Sequence, residues 1–184
     1  MRALALAALL LLLPASAAAD DQLWTLLEGG GQIVLIRHGL TTPGVGDPAG
    51  FRLEDCSTQR NLVDEGRRES EAVGAAFRAR AIPVERVLTS PWCRCVETAR
   101  LAWGGAEVWT PLSNLFGRPE NRAEQVLQLK ARVSERPGPG NLVLVTHGST
   151  IAALTGINPA TAEMVVVTPR GGGRFAVAGR LRAR

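Results

Sequence analysis

The sequence predicts an α/β fold: a three-layer arrangement with a mostly parallel central sheet, an antiparallel C-terminal hairpin, and helices on both faces. Three observations predict it. Two continuous apolar runs, "QIVLIR" (32–37) and "NLVLVT" (141–146), have the pattern of strands buried on both faces of a parallel sheet. Segments of strand character alternate with segments of helical character along most of the chain. Near the end, "EMVVVTP" (163–169) and "RFAVAGRL" (174–181) flank three glycines, which marks a hairpin.

The elements follow in order. Residues 1–19 have a basic start at Arg2, an apolar run from Ala3 to Leu13, the breaker Pro14, and small residues at Ala17 and Ala19. That is the layout of a secretory signal peptide, and the run is too short to span a bilayer comfortably. The expectation is a single domain over 20–184, periplasmic or secreted, with no stable membrane anchor once the leader is cut. "DQLWTLLEGGG" reads as a short amphipathic helix, Asp21 to Glu28, stopped by its glycines. After the first strand, "TTPGVGDPAGFRLEDCSTQRN" (41–61) is a loop rich in Gly, Pro and Asp, and loops of that length tend to be functional or disordered.

"DEGRRESEAVGAAFRARA" (64–81) places Ala72, Val73, Ala76 and Phe77 on one face of an amphipathic helix. "PVERVLTS" (83–90) is a short strand. "SPWCRCVETARLAW" (90–103) is a helix with Ser90 able to cap and Pro91 in the first turn, where a missing N–H costs little. "AEVWTP" (106–111) is a further strand, and "RAEQVLQLKARVSER" (122–136) a helix closed by "PGPG". "STIAALTG" (149–156) is a short helix after the second apolar run. Neither repeats nor a linker divide the domain.

Composition removes some function classes. The net charge is only +4, and the arginines cluster visibly only in the tail "GRLRAR". Without a basic stripe interleaved with aromatics, nucleic acid is not an expected partner. The three cysteines, Cys56, Cys93 and Cys95, contain no CxxC pair, and neither histidine is near them in sequence, so no metal site is expected. Cys93 and Cys95 point to different faces of a helix. Sequence does not give the pairing; Cys56 with Cys93 is the expectation.

The chain holds only two histidines, and both end an apolar strand in the same context: "IVLIRHG" and "LVLVTHG". Sites in parallel α/β sheets form at the carboxyl ends of strands. If the two strands are neighbours, His38 and His147 face one crevice with Arg37 beside them. A single histidine at a strand end is most often a packing residue; two in matching positions beside an arginine are a poor fit to coincidence. Each following glycine allows a tight turn and a close backbone approach to a ligand. "TSPWCRCVETA" adds Arg94 on the first turn of a helix whose N-terminus lies at the same sheet edge, and helix N-termini favour anions. Two arginines and a helix start converging on one crevice describe a site for a dianion such as phosphate, with each charge-assisted bond contributing about 1.5–3 kcal/mol. Arg94 pairing with Glu97 at i,i+3 is the plainer alternative.

From "VLIRHG" through "RNLVDEGRRESEAVG" and "TSPWCRCVETA" to "VLVTHG", the chain resembles the histidine phosphatase superfamily, the phosphoglycerate mutase-like and histidine acid phosphatase group. The resemblance implies a nucleophilic histidine at His38 and a phosphate pocket of Arg37, Arg94 and His147. It implies a phosphomonoester hydrolase working through a phosphohistidine, with a small phosphorylated substrate and no metal or cofactor. Some exported relatives suggest lipopolysaccharide-core sugar phosphates, though no residue selects them. The chemistry agrees: His38 must be neutral to attack, and nearby arginines lower its pKa; arginines and His147 then stabilise the equatorial oxygens.

The chain also departs from the group. Where the mutase branch has an acidic residue and later an Asn, Leu40 and Gly44 stand, although Thr41 still matches and is counted as a substrate contact. Asn114 lies near the place of the mutase branch's Glu, and Gly148 replaces the Asp of the acid phosphatase branch. Glu163, at the start of an antiparallel strand expected to begin at the crevice, is the candidate acid, and Glu120 the other. Arg60, in "TQRNL", reaches the pocket from the long loop or anchors that loop. The competing function is a phosphate-binding relative that kept the pocket and lost turnover.

Overall fold

The computed structural model describes residues 15–117, 120 and 122–183. The expected leader, 1–19, lies mostly outside these residues. In chain order the elements are α1 (Ala15–Glu28), β1 (Ile33–Arg37), α2 (Asp64–Ala79), β2 (Val84–Thr89), α3 (Cys93–Trp103), β3 (Glu107–Val108), α4 (Arg122–Ser134), β4 (Asn141–Thr146), α5 (Gly148–Thr155), β5 (Met164–Pro169) and β6 (Phe175–Leu181). Short 3₁₀ turns stand at Cys56–Thr58 and Thr110–Leu112.

The strands form one six-stranded sheet in the order β3-β2-β4-β1-β5-β6. The first four pair in parallel, and β5 and β6 add antiparallel to that edge. The mostly parallel sheet with an antiparallel C-terminal hairpin is therefore as the sequence predicts. The expected neighbours are also neighbours: β1 pairs β4 with Arg37 opposite Thr146.

The strand period divides the core cleanly. Val34, Ile36, Val143, Val145, Met164 and Val166 pack on one face with Leu23, Trp24 and Leu27 of α1, Val73 and Phe77 of α2, and Cys95 and Ala99 of α3. Ile33, Leu35, Leu142, Leu144, Val165 and Val167 pack on the other with Leu129 and Val133 of α4 and Ile151 and Leu154 of α5. The central strands are apolar at successive positions because both faces are covered. Each fully buried Leu, Ile or Val contributes about 1.5–3 kcal/mol over its exposed state.

Some local expectations change. α1 begins at Ala15, before Asp21, and β3 shortens to two residues. α3 begins at Cys93, with Trp92 at its N-cap and no side-chain capping bond. Ser90 and Pro91 thus precede the helix, and Ser90 serves the site described below. Gly39 is required for packing: a Cβ there would stand 2.3 Å from the Gly66 carbonyl oxygen. One at Gly66 would stand 2.0 Å from that of Leu40. These contacts seat the segment after β1 directly on the first turn of α2. Among the described residues no helix is long and apolar enough to cross a membrane.

Candidate active site

His38 follows β1 and His147 follows β4, so parallel register delivers both to one sheet edge. The His38 N–H donates to the Thr146 carbonyl at 3.0 Å, extending the ladder by one residue. The imidazoles meet edge to face with centroids 5.4 Å apart. Both are buried.

His38 Nδ1 lies 2.8 Å from the Gly39 carbonyl oxygen. A carbonyl only accepts, so Nδ1 carries the proton and Nε2 keeps its lone pair. Burial lowers the His38 pKa to about 3, helped by the positive charges of Arg94, Arg37 and Arg60 and opposed by the bond to Gly39. The ring is a neutral base with a defined tautomer at any physiological pH. Burial likewise holds His147 well below the usual imidazole range, with His38 and the arginines adding to it. Its Nε2 is 2.8 Å from the Ser90 hydroxyl. Arg94 Nη2, which only donates, lies 3.5 Å from His147 Nδ1, so Nδ1 accepts and the Nε2–H donates to the Ser90 hydroxyl.

Arg37, Arg60 and Arg94 line a cleft of about 230 Å³ together with both histidines, Asn114, Ser149 and Asn158. The Arg37 Nη1 donates to the Pro159 carbonyl at 2.9 Å, and an Arg60 Nη1 donates to the Gly44 carbonyl. The Nε atoms of Arg37, Arg60 and Arg94 are all buried without a hydrogen-bond partner among the described residues. Buried donors are normally satisfied. All three residues line the one cleft, so three guanidinium groups converge there. Burial lowers the pKa of Arg37 and Arg60, and neighbouring arginines add to that shift, as expected where like charges converge.

Sequence reasoning missed Asp47. Its Oδ1 accepts from Arg94 Nη1 at 2.6 Å and from the Arg60 backbone N–H at 3.1 Å. Its Oδ2 accepts from Arg94 Nη2 at 3.1 Å and from Trp92 Nε1 at 3.0 Å. The Arg94 and Asp47 side chains are 2% and 3% exposed, so this is a buried pair and not a rim contact. Burial alone would raise the Asp47 pKa, but the bonds from Arg94, the Arg60 N–H and Trp92 hold it below the ordinary carboxylate range. The alternative partner for Arg94, Glu97, instead accepts from Arg67 at 2.9 Å. Asp47 sits in a Gly- and Pro-rich loop without periodicity, so no pattern singled it out.

The loop is fastened by a disulfide between Cys56 and Cys93, the pairing expected, with Cα atoms 5.7 Å apart. Cys95 is a buried free thiol, and burial pushes its pKa up to about 12. At the start of α3, the Cys93 N–H donates to Gln59 Oε1 at 3.0 Å. That donor is closed by the loop, where the sequence suggested an open helix end.

The remaining expectations divide. Arg60 reaches the cleft, as one of its two readings held, while Thr41 does not line it and is buried in an isolated bridge to Leu62. Glu163 is not brought to the crevice. Its Oε1 accepts from Arg180 at 2.8 Å, and its Oε2 accepts from Arg180 at 2.9 Å and from the Ala160 N–H at 2.6 Å. Arg182 stands 3.6 Å away. Burial would raise its pKa, but these bonds lower it, which fits a structural anion and not a proton donor. The reason is geometric: β5 does start at the crevice edge, but Glu163 turns toward β6, where the arginines are. Glu120 is exposed and is not among the described lining residues. Among the described residues that line the cleft there is no carboxylate. Asn114 does line it, and its Oδ1 accepts from the Ser149 hydroxyl at 2.7 Å. Asn158 and Ser149 were not anticipated, since neither belongs to a strand-end motif.

A neutral imidazole with an unprotonated Nε2, three converging guanidinium groups and, among the described lining residues, no carboxylate suit a tetrahedral oxyanion. Comparisons with known proteins show what the chain and its fold are similar to. Residues 33–114 match the family model of the histidine phosphatase superfamily (branch 1). The protein histidine phosphatase SixA, solved with tungstate, has a similar fold: 20% identity, TM-score 0.59, covering 83% of this chain and 97% of that one. A phosphoserine phosphatase from Entamoeba histolytica, solved with 3-phosphoglyceric acid, aligns at 13% identity and TM-score 0.60, covering 81% and 95%. A mycobacterial glucosyl-3-phosphoglycerate phosphatase aligns at 16% identity and TM-score 0.58, covering 80% and 97%. No curated protein matches the chain significantly.

Proposed function

We propose that this chain, a member of the histidine phosphatase superfamily, is a phosphatase that hydrolyses small phosphomonoesters without metal, through a phosphoryl group carried on His38. The observation that carries the proposal is the convergence of Arg37, Arg60 and Arg94 on the cleft of His38, whose imidazole has an unprotonated Nε2.

The phosphate oxygens take up the N–H groups of Arg37, Arg60 and Arg94. The His38 Nε2 lone pair attacks phosphorus in line, the P–O bond to the leaving group breaks, and its electrons go to the departing oxygen. The arginines balance charge on the equatorial oxygens while the Nδ1–H bond to Gly39 supports the positive charge that develops on the ring. Water then attacks phosphorus, the P–N bond breaks, and its electron pair returns to Nε2. The attacking water's proton goes to solvent and inorganic phosphate leaves.

The departing oxygen takes its proton from water, since no carboxyl group lines the described cleft. Substrates with good leaving groups, phenols or phosphohistidine among them, therefore suit it best. The same observation favours a second reading, a phosphate-binding relative with no turnover.

The test is p-nitrophenyl phosphate with the purified chain, with and without residues 1–19, in EDTA. Turnover that persists in EDTA and vanishes in His38→Ala supports the enzyme. Phosphate binding without turnover at any pH supports the binding protein, and loss in EDTA contradicts the metal-free chemistry. Export to the periplasm or medium completes the proposal, supported by the leader-like pattern of residues 1–19 and by the disulfide, which suits an oxidising compartment. Signal cleavage on expression with the native N-terminus checks it; an intact N-terminus in a cytosolic fraction contradicts it.

A further inference from the structure

We infer that Asp47 is a positioning residue for phosphoryl transfer, acting through Arg94. The inference rests on the phosphatase reading and adds to it the residue that aims the most deeply buried cation of the site.

Asp47 is saturated. Each carboxylate oxygen holds two donors: Oδ1 takes Arg94 Nη1 and the Arg60 N–H, and Oδ2 takes Arg94 Nη2 and Trp92 Nε1. A carboxylate so occupied has no proton to give and no face for substrate, which separates it from an acid. What it does is fix a plane. A carboxylate that meets both terminal nitrogens of a guanidinium leaves that group no freedom to turn about its long axis. Arg94 is held with Nη2 3.5 Å from His147 Nδ1 and with its buried Nε unpartnered.

Trp92 holds the other side of the carboxylate and packs on His147 with ring centroids 5.2 Å apart. The aspartate, the tryptophan, the arginine and the second histidine thus form one connected cluster. The disulfide between Cys56 and Cys93 ties the loop that carries Asp47 to the residue next to Arg94.

The consequence differs between ground state and transition state. Removing the Asp47 charge leaves Arg94 with an uncompensated cation that is free to turn toward any anion in the cleft. Bound phosphate is then held at least as well as before. The planar array of equatorial oxygens in the transition state, which requires the cation in one place, is held less well. Loss of kcat without loss of anion affinity is the signature, and a residue that merely supports the fold does not produce it.

The test uses the full chain with p-nitrophenyl phosphate for turnover and inorganic phosphate for calorimetric affinity. Asp47→Asn is expected to lower kcat by about 10–100-fold, the scale of small misplacements of a catalytic group, while phosphate binds as tightly as to the wild type or more tightly. In an Arg94→Lys background, which cannot make the two-point contact, adding Asp47→Asn is expected to cost little more. Should Asp47→Asn fail to fold, Asp47→Glu keeps the charge and shifts the guanidinium, with the same split between kcat and phosphate affinity expected. Unchanged kcat, equal losses of kcat and phosphate affinity, or additive losses in the double variant overturn the inference. A wild-type chain that binds phosphate without turnover instead overturns the phosphatase reading, so the two failures are distinct.

Discussion

His38 and His147 stand edge to face, 5.4 Å between ring centroids, because their strands are hydrogen-bonded parallel neighbours. One ring keeps a lone pair on Nε2 through its bond to Gly39, and the other is held by Ser90. This relationship places two buried neutral imidazoles at the mouth of the sheet, which bears on how the protein responds to acid.

Stability is expected to fall as pH drops from neutrality. His38 has a pKa near 6.5 when unfolded and about 3 when folded, so between these values the unfolded chain binds more protons. The stabilisation is complete above the unfolded value and is lost as pH falls toward the folded one. His147 shifts in the same direction. Urea midpoints measured at pH 7 and pH 5 are expected to show a loss in the wild type and a smaller one in His38→Asn. A flat profile in the wild type contradicts the buried neutral imidazoles.

Arg37 ends β1 and lines the cleft. Arg37→Met is expected to reduce kcat/KM by about 10²–10³-fold, the usual effect of removing one donor to a developing oxyanion. Circular dichroism should stay native, since the substituted side chain gives up only its contact to the Pro159 carbonyl. Wild-type kinetics in this variant would move the phosphate away from Arg37.

Glu163→Gln is expected to leave kcat with p-nitrophenyl phosphate unchanged, because Glu163 faces Arg180 and not the cleft. Its cost is in stability, about 1 kcal/mol for pairs with half-exposed arginines. A large fall in kcat at unchanged thermal midpoint would restore it as the acid.

The disulfide closes a loop across a sequence separation of 37 residues. Replacing Cys56 and Cys93 by serine is expected to cost about 4 kcal/mol by loop-closure entropy. Because the loop presents Asp47 and Arg60, turnover should fall as well, read from kcat under folding conditions. Stability and turnover both unchanged would show that the loop holds its place without the bridge.

The parts of the site borne by periodic segments were legible. "VLIRHG" and "LVLVTHG" announce buried strands, and two strands with matching polar tips have a shared edge as their natural arrangement; the helix of Arg94 announces itself by its position after a strand. Asp47 was not legible, because its role comes from a turn in a loop where glycine and proline, not periodicity, set the path. A serine before a helix is ordinarily its cap, and that pattern hides the contact of the Ser90 hydroxyl with His147. The place of Glu163 is not legible because strand direction fixes which edge a residue occupies but not which neighbour its side chain meets, and Arg180 lies across the hairpin.

The central claim is that phosphate passes through His38 Nε2, and trapping the intermediate tests it most directly. The wild-type chain is mixed with a phosphoryl-labelled aryl phosphate, quenched in alkali within the first turnovers, and mapped by mass spectrometry. The account predicts one acid-labile phosphoryl group on the peptide carrying His38, absent from His38→Ala. Label on His147 or on no residue while turnover proceeds, or turnover that survives in His38→Ala, contradicts it.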